Sequence, residues 1–387
     1  MEDKLPLMKG LISSFSIIED TRVDRTKLYP LNEILFLCIC AIVSGFEDWD
    51  GIADFGESKL DWLRKYLPYK HGIPSHDTIN RVVSMIDYRV FEKCFIDWAT
   101  MDISLPNGTI IHIDGKSIRG SSSKKEYQTA RSDGGKPPKH IVNAFCNELE
   151  ICLGQYQVED KSNEIVAIPT LLELLELQGC IITIDAIGCQ KKIAEQIVNK
   201  KADYIIGVKN NQKYFLSSMK ETFQNYDNLQ IPMNQSEQRG KNHGRVESRI
   251  CDVISVAHMA QNSGKDNWMG LKTIIRITSE RKIMATQKIE KEQRYYISSS
   301  ELDADEFNRI VRSHWSIENK LHWTLDVVFG EDTSRKRAGN AAANVSTLRK
   351  MAFNLLKTAP QKMSMNRKRN KCAFYDEFRE KVLKMDV

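Results

Sequence analysis

Two stretches decide the fold: Thr109-Ile110-Ile111-His112-Ile113-Asp114 and Cys180-Ile181-Ile182-Thr183-Ile184-Asp185. Each is an apolar, β-branched run with the side chains of a buried strand, and each ends in an acid. Working outward from the first, His140 to Cys146 and Ile151 to Val158 read as two further strands around a turn at Asn147 to Glu150, an antiparallel meander. Ile165 to Leu177 reads as a helix ahead of the second acid motif. A helix at Gln190 to Asn199 and a strand at Tyr204 to Val208 follow it.

This βββαβαβ order predicts an α/β fold with a ribonuclease H-like mixed sheet and helices on both faces. In that order the first and fourth strands are neighbours, so Asp114 and Asp185 open onto one crevice at the sheet edge. Two carboxylates cannot share such a place cheaply without a cation between them. Mg²⁺ or Mn²⁺ suits hard oxygen ligands, and a pair of such ions would serve an in-line phosphoryl displacement without a covalent protein intermediate. A third acid is expected from a helix packed on the crevice. In the predicted helix Asp305 to Val328, Ile310, Ile317, Leu321 and Val328 form an apolar stripe, and Glu318 lies on its flank, half buried. His314, His322 and Asp326 continue the same side. Any one of these acids alone reads equally well as a cap, a turn or a solvated helix residue. A nucleotide-binding role for Asp185 is weak, because the chain has no G-x-x-x-x-G-K-[ST] loop.

Three regions are expected. Residues 1–105 read as a helical domain, in which Ser75 or Asp77 caps an amphipathic helix carrying Arg81 that could enter a DNA groove. Residues 106–357 form the catalytic domain, with a β-rich insertion at about 213–296, and residues 358–387 form a basic tail. Lys plus Arg exceed Asp plus Glu by only 56 to 51, so distribution matters more than net charge. Lys116 to His140 holds seven Lys or Arg against two acids, and Arg367, Lys368, Arg369 and Lys371 crowd the tail. These are candidate phosphate contacts. Hydrophobic residues make up 41% of the chain, which excludes a natively disordered protein. The nine Cys are scattered, with no C-x-x-C pair, and fit a reducing cytosol. The longest apolar run, Ile34 to Phe46, is too short for a bilayer, where roughly 20 residues are needed, and reads as a buried helix.

Further motifs are Ile113-Asp114-Gly115-Lys116, Asp185-Ala186 with Gly188-Cys189-Gln190, Val208-Lys209-Asn210-Asn211-Gln212, His243-Gly244-Arg245-Val246-Glu247-Ser248-Arg249 and His314-Trp315-Ser316-Ile317-Glu318-Asn319. Together they resemble the DDE transposases of bacterial insertion sequences, in particular the ISAs group that includes the H-repeat-associated proteins. The resemblance covers nearly the whole chain. It implies a ribonuclease H-like catalytic domain behind a helical N-terminal domain. It also implies a metal triad of Asp114, Asp185 and Glu318, and metal-dependent hydrolysis and strand transfer at the element's ends. Related enzymes often carry Y-x-x-R-x-x-x-E-x-x-x-x-x-x-K around the third acid; here those places hold Val311, His314 and Leu325, so no hairpin pathway is inferred.

Expected DNA contacts are Lys116, Arg119, Lys209, Asn210, Asn211, Gln212, His243, Arg245, Arg249 and His314, with Arg245, Glu247 and Arg249 sharing one strand face as a clamp. Trp315 and Trp323 read as packing residues. Expected partners are terminal inverted repeats and target DNA, bound by a homodimer in the bacterial cytosol at the nucleoid, with no membrane. Two alternatives stand: an inactive or domesticated DNA-binding protein, and a zinc hydrolase using His314, Glu318 and His322, which lacks an H-E-x-x-H pattern.

Overall fold

Ile110, Ile111 and Ile113 are almost fully buried, and the run that contains them forms strand β1, Ile110–Ile118. The computed structural model describes residues 10–23, 27–101, 103–122, 137–159, 163–242, 245–359 and 361–384. The middle of the basic Lys116 to His140 stretch and His243 lie outside the described residues. After β1 come β2 (Lys139–Cys146), β3 (Ile151–Gln157), β4 (Ile181–Ile184) and β5 (Asp203–Val208). Strands β6 (Asn234–Asn242), β7 (Arg245–Ser255), β8 (Thr273–Ile283) and β9 (Ile289–Ser298) complete one nine-stranded sheet. Its order is β3-β2-β1-β4-β5-β9-β8-β7-β6. The first five strands follow the ribonuclease H-like order expected from the sequence, with β1, β4 and β5 parallel. The insertion, expected to be β-rich from its start, instead enters through a helix, Lys213–Leu229, and its four strands extend the same sheet.

The chain divides into two compact units. One comprises Leu105–Asp114 and Glu164–Ile317, the other Met1–Ser104, Gly115–Asn163 and Glu318–Val387. In the first, the helix Ala304–Ser313 starts at Asp303, whose carboxylate accepts from the Glu306 N–H at 2.8 Å, an N-cap. Its apolar stripe, Phe307, Ile310 and Val311, packs with Ile110, Ile181, Ile205, Ile275 and Ile277. Because strand side chains alternate, Ile110 shares its sheet face with His112 and Asp114, and Ile181 shares it with Thr183 and Asp185. The helix therefore lies along the face that carries both acids. Phe307 is fully buried, and Phe307→Ala is expected to cost about 3–5 kcal/mol, read from a urea denaturation midpoint.

In the second unit, the apolar run read as a buried helix is one: Leu31–Val43, nearly every residue of which is buried. It packs against Ala341–Thr358, a helix almost wholly buried, whose Asn354 side chain is hydrogen-bonded to both the N–H and the C=O of Cys152 in β3. No helix among the described residues is long and apolar enough to cross a membrane. The presumed basic tail corrects the sequence reading. It forms helices Met365–Phe374 and Asp376–Leu383. Lys368 is buried and donates to the carbonyls of Leu356 and Ala359, while Arg369 is buried against Ile42 O and Glu47. Cations capping exposed carbonyls at helix ends are spent on the fold, so neither side chain is left for phosphate.

Candidate active site

Ile113 pairs with Ile184 in the parallel β1–β4 ladder, so Asp114 and Asp185 occupy matching positions on adjacent strands, a spacing of about 4.8 Å between strands. One step earlier on the same face, Thr183 Oγ1 lies 2.6 Å from His112 Nδ1 and 2.7 Å from His314 Nδ1. A single hydroxyl cannot donate to both, so at least one ring donates to it. Burial pushes the His314 imidazole down to about 4, which keeps it neutral at physiological pH. The neutral ring is tied to Thr183 through Nδ1.

Asp185 Oδ1 accepts from the Ile187 N–H at 2.9 Å, capping a short 3-10 turn, Ala186–Gly188. Gly188 is required there, since a Cβ would meet Ile184 Cγ2 at 2.4 Å. Burial, with Glu164 nearby, raises the Asp185 carboxyl above the usual aspartate range, against the pull of the Ile187 N–H and Lys209. The motif after β5 supports this turn: Asn211 Nδ2 donates to Ala186 O at 2.6 Å and Gln212 Nε2 to Cys189 O at 2.9 Å. Two expected DNA contacts thus hold the backbone that follows Asp185, while Lys209 and Asn210 remain exposed.

In the insertion, the Arg245 side chain lies outside the described residues, and the expected clamp is corrected at Arg249. That side chain is buried and its Nε donates to Asn308 Oδ1 at 2.8 Å, tying β7 to the helix Ala304–Ser313. Glu247 takes Arg281 of β8 at 3.3 Å. The long helix expected from Asp305 to Val328 is interrupted. It runs α-helical to Ser313, is π-helical over Ile317–His322, and returns to α over Trp323–Val327. Trp315 and Trp323, expected in the core, are 49% and 56% exposed, with the Arg294 guanidinium 5.7 Å from the Trp315 ring.

In the other unit, Lys116 does not face outward. Its Nζ lies 2.7 Å from Asp326, 3.0 Å from Glu331 and 3.2 Å from Asp332. Burial opposes its charge, but these carboxylates outweigh it and push its pKa up to about 12. Arg119 is exposed, with Nε 3.4 Å from Asp332. Glu318 is exposed rather than half buried, and its carboxylate lies within 4.8 Å of a ring nitrogen of buried His322. Sequence reasoning missed Asn143, whose Nδ2 lies 3.3 Å from His322 Nε2, as well as Glu331 and Asp332. Only the acid pair in the turn after Gly330 gave a signal.

A mixed sheet of this order, β3-β2-β1-β4-β5 with β1, β4 and β5 parallel, defines the ribonuclease H-like fold class, with Asp114 inside β1 beside Asp185 just past the end of β4. Residues 106–355 match the Transposase DDE domain family, and residues 12–99 match the DDE_Tnp_1-associated family. The chain belongs to the DDE transposases, a family of enzymes that act on DNA. Two Escherichia coli relatives carry transposase names. YncI is 42% identical over 383 residues, 97% of this chain and 95% of its own. The H repeat-associated YhhI is 41% identical over 380 residues, 97% of this chain and 98% of its own. A solved piggyBac transposase synaptic complex with hairpin DNA aligns with 98% of this chain and 78% of its own, at TM-score 0.45 and 10% identity, too distant to carry weight here.

Proposed function

We propose that the protein cleaves DNA at the ends of its own insertion sequence and joins the freed strand to target DNA, using two Mg²⁺ or Mn²⁺ ions held by Asp114, Asp185 and Glu318. The observation that carries this reading is the β1–β4 register, which sets Asp114 beside Asp185. The donor set fits the ions: three carboxylates are hard oxygen ligands, and the burial that strains the Asp185 charge is relieved by a cation. When bound, such ions activate a water or 3′-hydroxyl and stabilise the leaving oxygen. The protein's own residues fix the ligands. Asn211 and Gln212 brace the turn after Asp185, and the His112–Thr183–His314 ladder braces the strand pair. Lys209, Asn210 and Arg119, all exposed, bind phosphate on terminal inverted repeats and target DNA. The working assembly is a homodimer on nucleoid DNA in the bacterial cytosol.

The test incubates the protein with DNA carrying the inverted repeats that flank its gene, with Mg²⁺ or Mn²⁺, and maps nicks by sequencing. Nicks at the repeat ends are expected. Specific binding without metal-dependent nicking would establish the inactive DNA-binding alternative instead. Lys209→Ala should weaken binding about equally across sequences and reduce the salt slope of log Kd by about one, measured by fluorescence anisotropy.

A further inference from the structure

We propose that the insertion carries a second DNA-binding surface, on the sheet face turned away from Asp114 and Asp185, where Lys241, Lys282 and Lys291 grip phosphates of duplex DNA outside the strand being cut. The inference rests on the protein acting on DNA as proposed above. Cross-strand partners share a sheet face and side chains alternate along each strand, so the register sorts every residue of the insertion onto one face or the other. Thr183, which shares its face with Asp185, is level with Ile205, and Ile205 with Ser298. Followed outward through β9, β8 and β7, that face holds Arg294, Glu292, Arg281, Glu247 and Arg249. The opposite face holds Arg239 and Lys241 of β6, Ser248 of β7, Glu280 and Lys282 of β8, and Lys291 of β9. Side-chain contacts agree with this sorting: Ser248 Oγ donates to Glu237 Oε1 at 2.7 Å across β6 and β7, and Arg281 Nε lies 3.3 Å from Glu247 across β7 and β8.

The two faces use their cations differently. On the face that carries the acids, Arg249 is buried against Asn308, Arg281 is paired with Glu247, and Arg294 Nε donates to Glu292 at 2.8 Å. On the far face the helix Lys213–Leu229 covers the inner part of the strands, where Asp227 takes Arg276 and Phe223 packs on Tyr295. Further out, Arg239, Lys241, Lys282 and Lys291 are exposed. Arg239 is paired with Glu237, while no carboxylate among the described residues is paired with Lys241, Lys282 or Lys291. A lysine on an edge strand keeps other chains from pairing there, which accounts for Lys241. It does not account for Lys282, whose strand has β7 on one side and β9 on the other. Lys241 and Lys282 lie in one cross-strand row and Lys291 in the next, so the three reach from β6 to β9, about 14 Å at the usual strand spacing. A DNA strand presents a phosphate about every 3.4 Å of helix axis, so a surface of that width meets several at once. Ammonium groups on an open sheet face suit backbone contact, which positions the duplex without reading its sequence.

Salt-dependent binding decides the point. The triple variant Lys241→Ala/Lys282→Ala/Lys291→Ala changes exposed side chains, so its urea midpoint should stay at the wild-type value. Binding is followed without metal by fluorescence anisotropy on two duplexes that share one repeat end. One stops close to the cleavage site, and the other runs on for two helical turns, about 20 base pairs. On the extended duplex the triple variant should lose about 2.7 from the salt slope of log Kd, roughly 0.9 for each phosphate released. On the short duplex most of that loss should be absent. Arg281→Ala, which removes a paired cation from the other face of β8, should keep the wild-type slope on both. Glu280→Gln, which removes the carboxylate level with Lys291, should tighten binding to the extended duplex. A wild-type slope in the triple variant would overturn the proposal and leave the cleavage function standing, whereas a wild-type protein that binds neither duplex would sink both. Equal losses on the two duplexes would put these lysines on the cut strand, and an equal loss in Arg281→Ala would make the effect one of general charge; either result ends the idea.

Discussion

Replacing Asp185 with asparagine is expected to abolish strand cleavage, by a factor on the order of 10³ or more, about 4 kcal/mol in the barrier, while making the metal-free protein more stable. The two effects have one cause. Burial and the nearby Glu164 disfavour the Asp185 carboxylate and raise its pKa. Asparagine keeps an oxygen that can accept from the Ile187 N–H, so the turn cap survives and the unfavourable charge goes. The sign follows from linkage. A carboxyl whose folded pKa is raised contributes stability below the unfolded value, and loses it as pH rises through the folded one. The wild-type protein should therefore lose stability on going upward from the ordinary aspartate value of 3.8, and the variant should lose less. Divalent metal reverses the order: a ligand at 100 times its Kd stabilises the folded state by about 2.7 kcal/mol, in the wild type but not in Asp185→Asn. Thermal melts from pH 4 to 7, with and without Mg²⁺, alongside nicking assays, check all three statements. Cleavage at the wild-type rate in the variant would remove Asp185 from the site.

The acids were legible because a buried strand has a period of two and a short apolar run that stops at a charge is conspicuous. The neighbouring of β1 and β4 followed from the order of elements alone. Other features depend on partners that no local pattern announces. Strand β6, Asn-Gln-Ser-Glu-Gln-Arg-Gly-Lys-Asn, is polar throughout because it is the outermost strand of the sheet, and so it shows no alternation. The π-helical turn is invisible to a 3.6-residue period, which runs through Ile317 and Leu321 without a break. Lys368 and Arg369 look solvated in a run of four cations, yet their acceptors are carbonyls at helix ends elsewhere in the chain. Trp315 and Trp323 fail in the other direction: large apolar side chains are usually packed, and exposure on a helix leaves no trace in composition.

Lys116 is the sharpest case, and Lys116→Met is expected to cost about 3–5 kcal/mol of stability, the scale for removing one partner of a buried ionic cluster. The Lys116 ammonium is shared by Asp326, Glu331 and Asp332, and Glu331 is itself almost fully buried, accepting from the Ser346 hydroxyl at 2.7 Å. Burial drives the Glu331 carboxyl up, but Lys350, Lys116 and Arg349 outweigh it and hold it at about 2. A depressed carboxyl contributes stability above its unfolded pKa, ordinarily 4.5, and loses it as pH falls through the folded value. With one of its cations removed, Glu331 protonates at higher pH, so the acid-unfolding midpoint of Lys116→Met should move upward as its urea midpoint falls. The surrounding backbone leaves no slack to absorb the change: a Cβ on Gly120, just beyond β1, would meet Ser334 O at 2.2 Å. A phosphate-binding Lys116 would behave oppositely, keeping both midpoints and losing about one unit of salt slope in DNA binding. Those outcomes separate cleanly, and a loss of stability would leave Arg119, exposed just past the end of β1, as the cation of this segment still proposed to meet DNA.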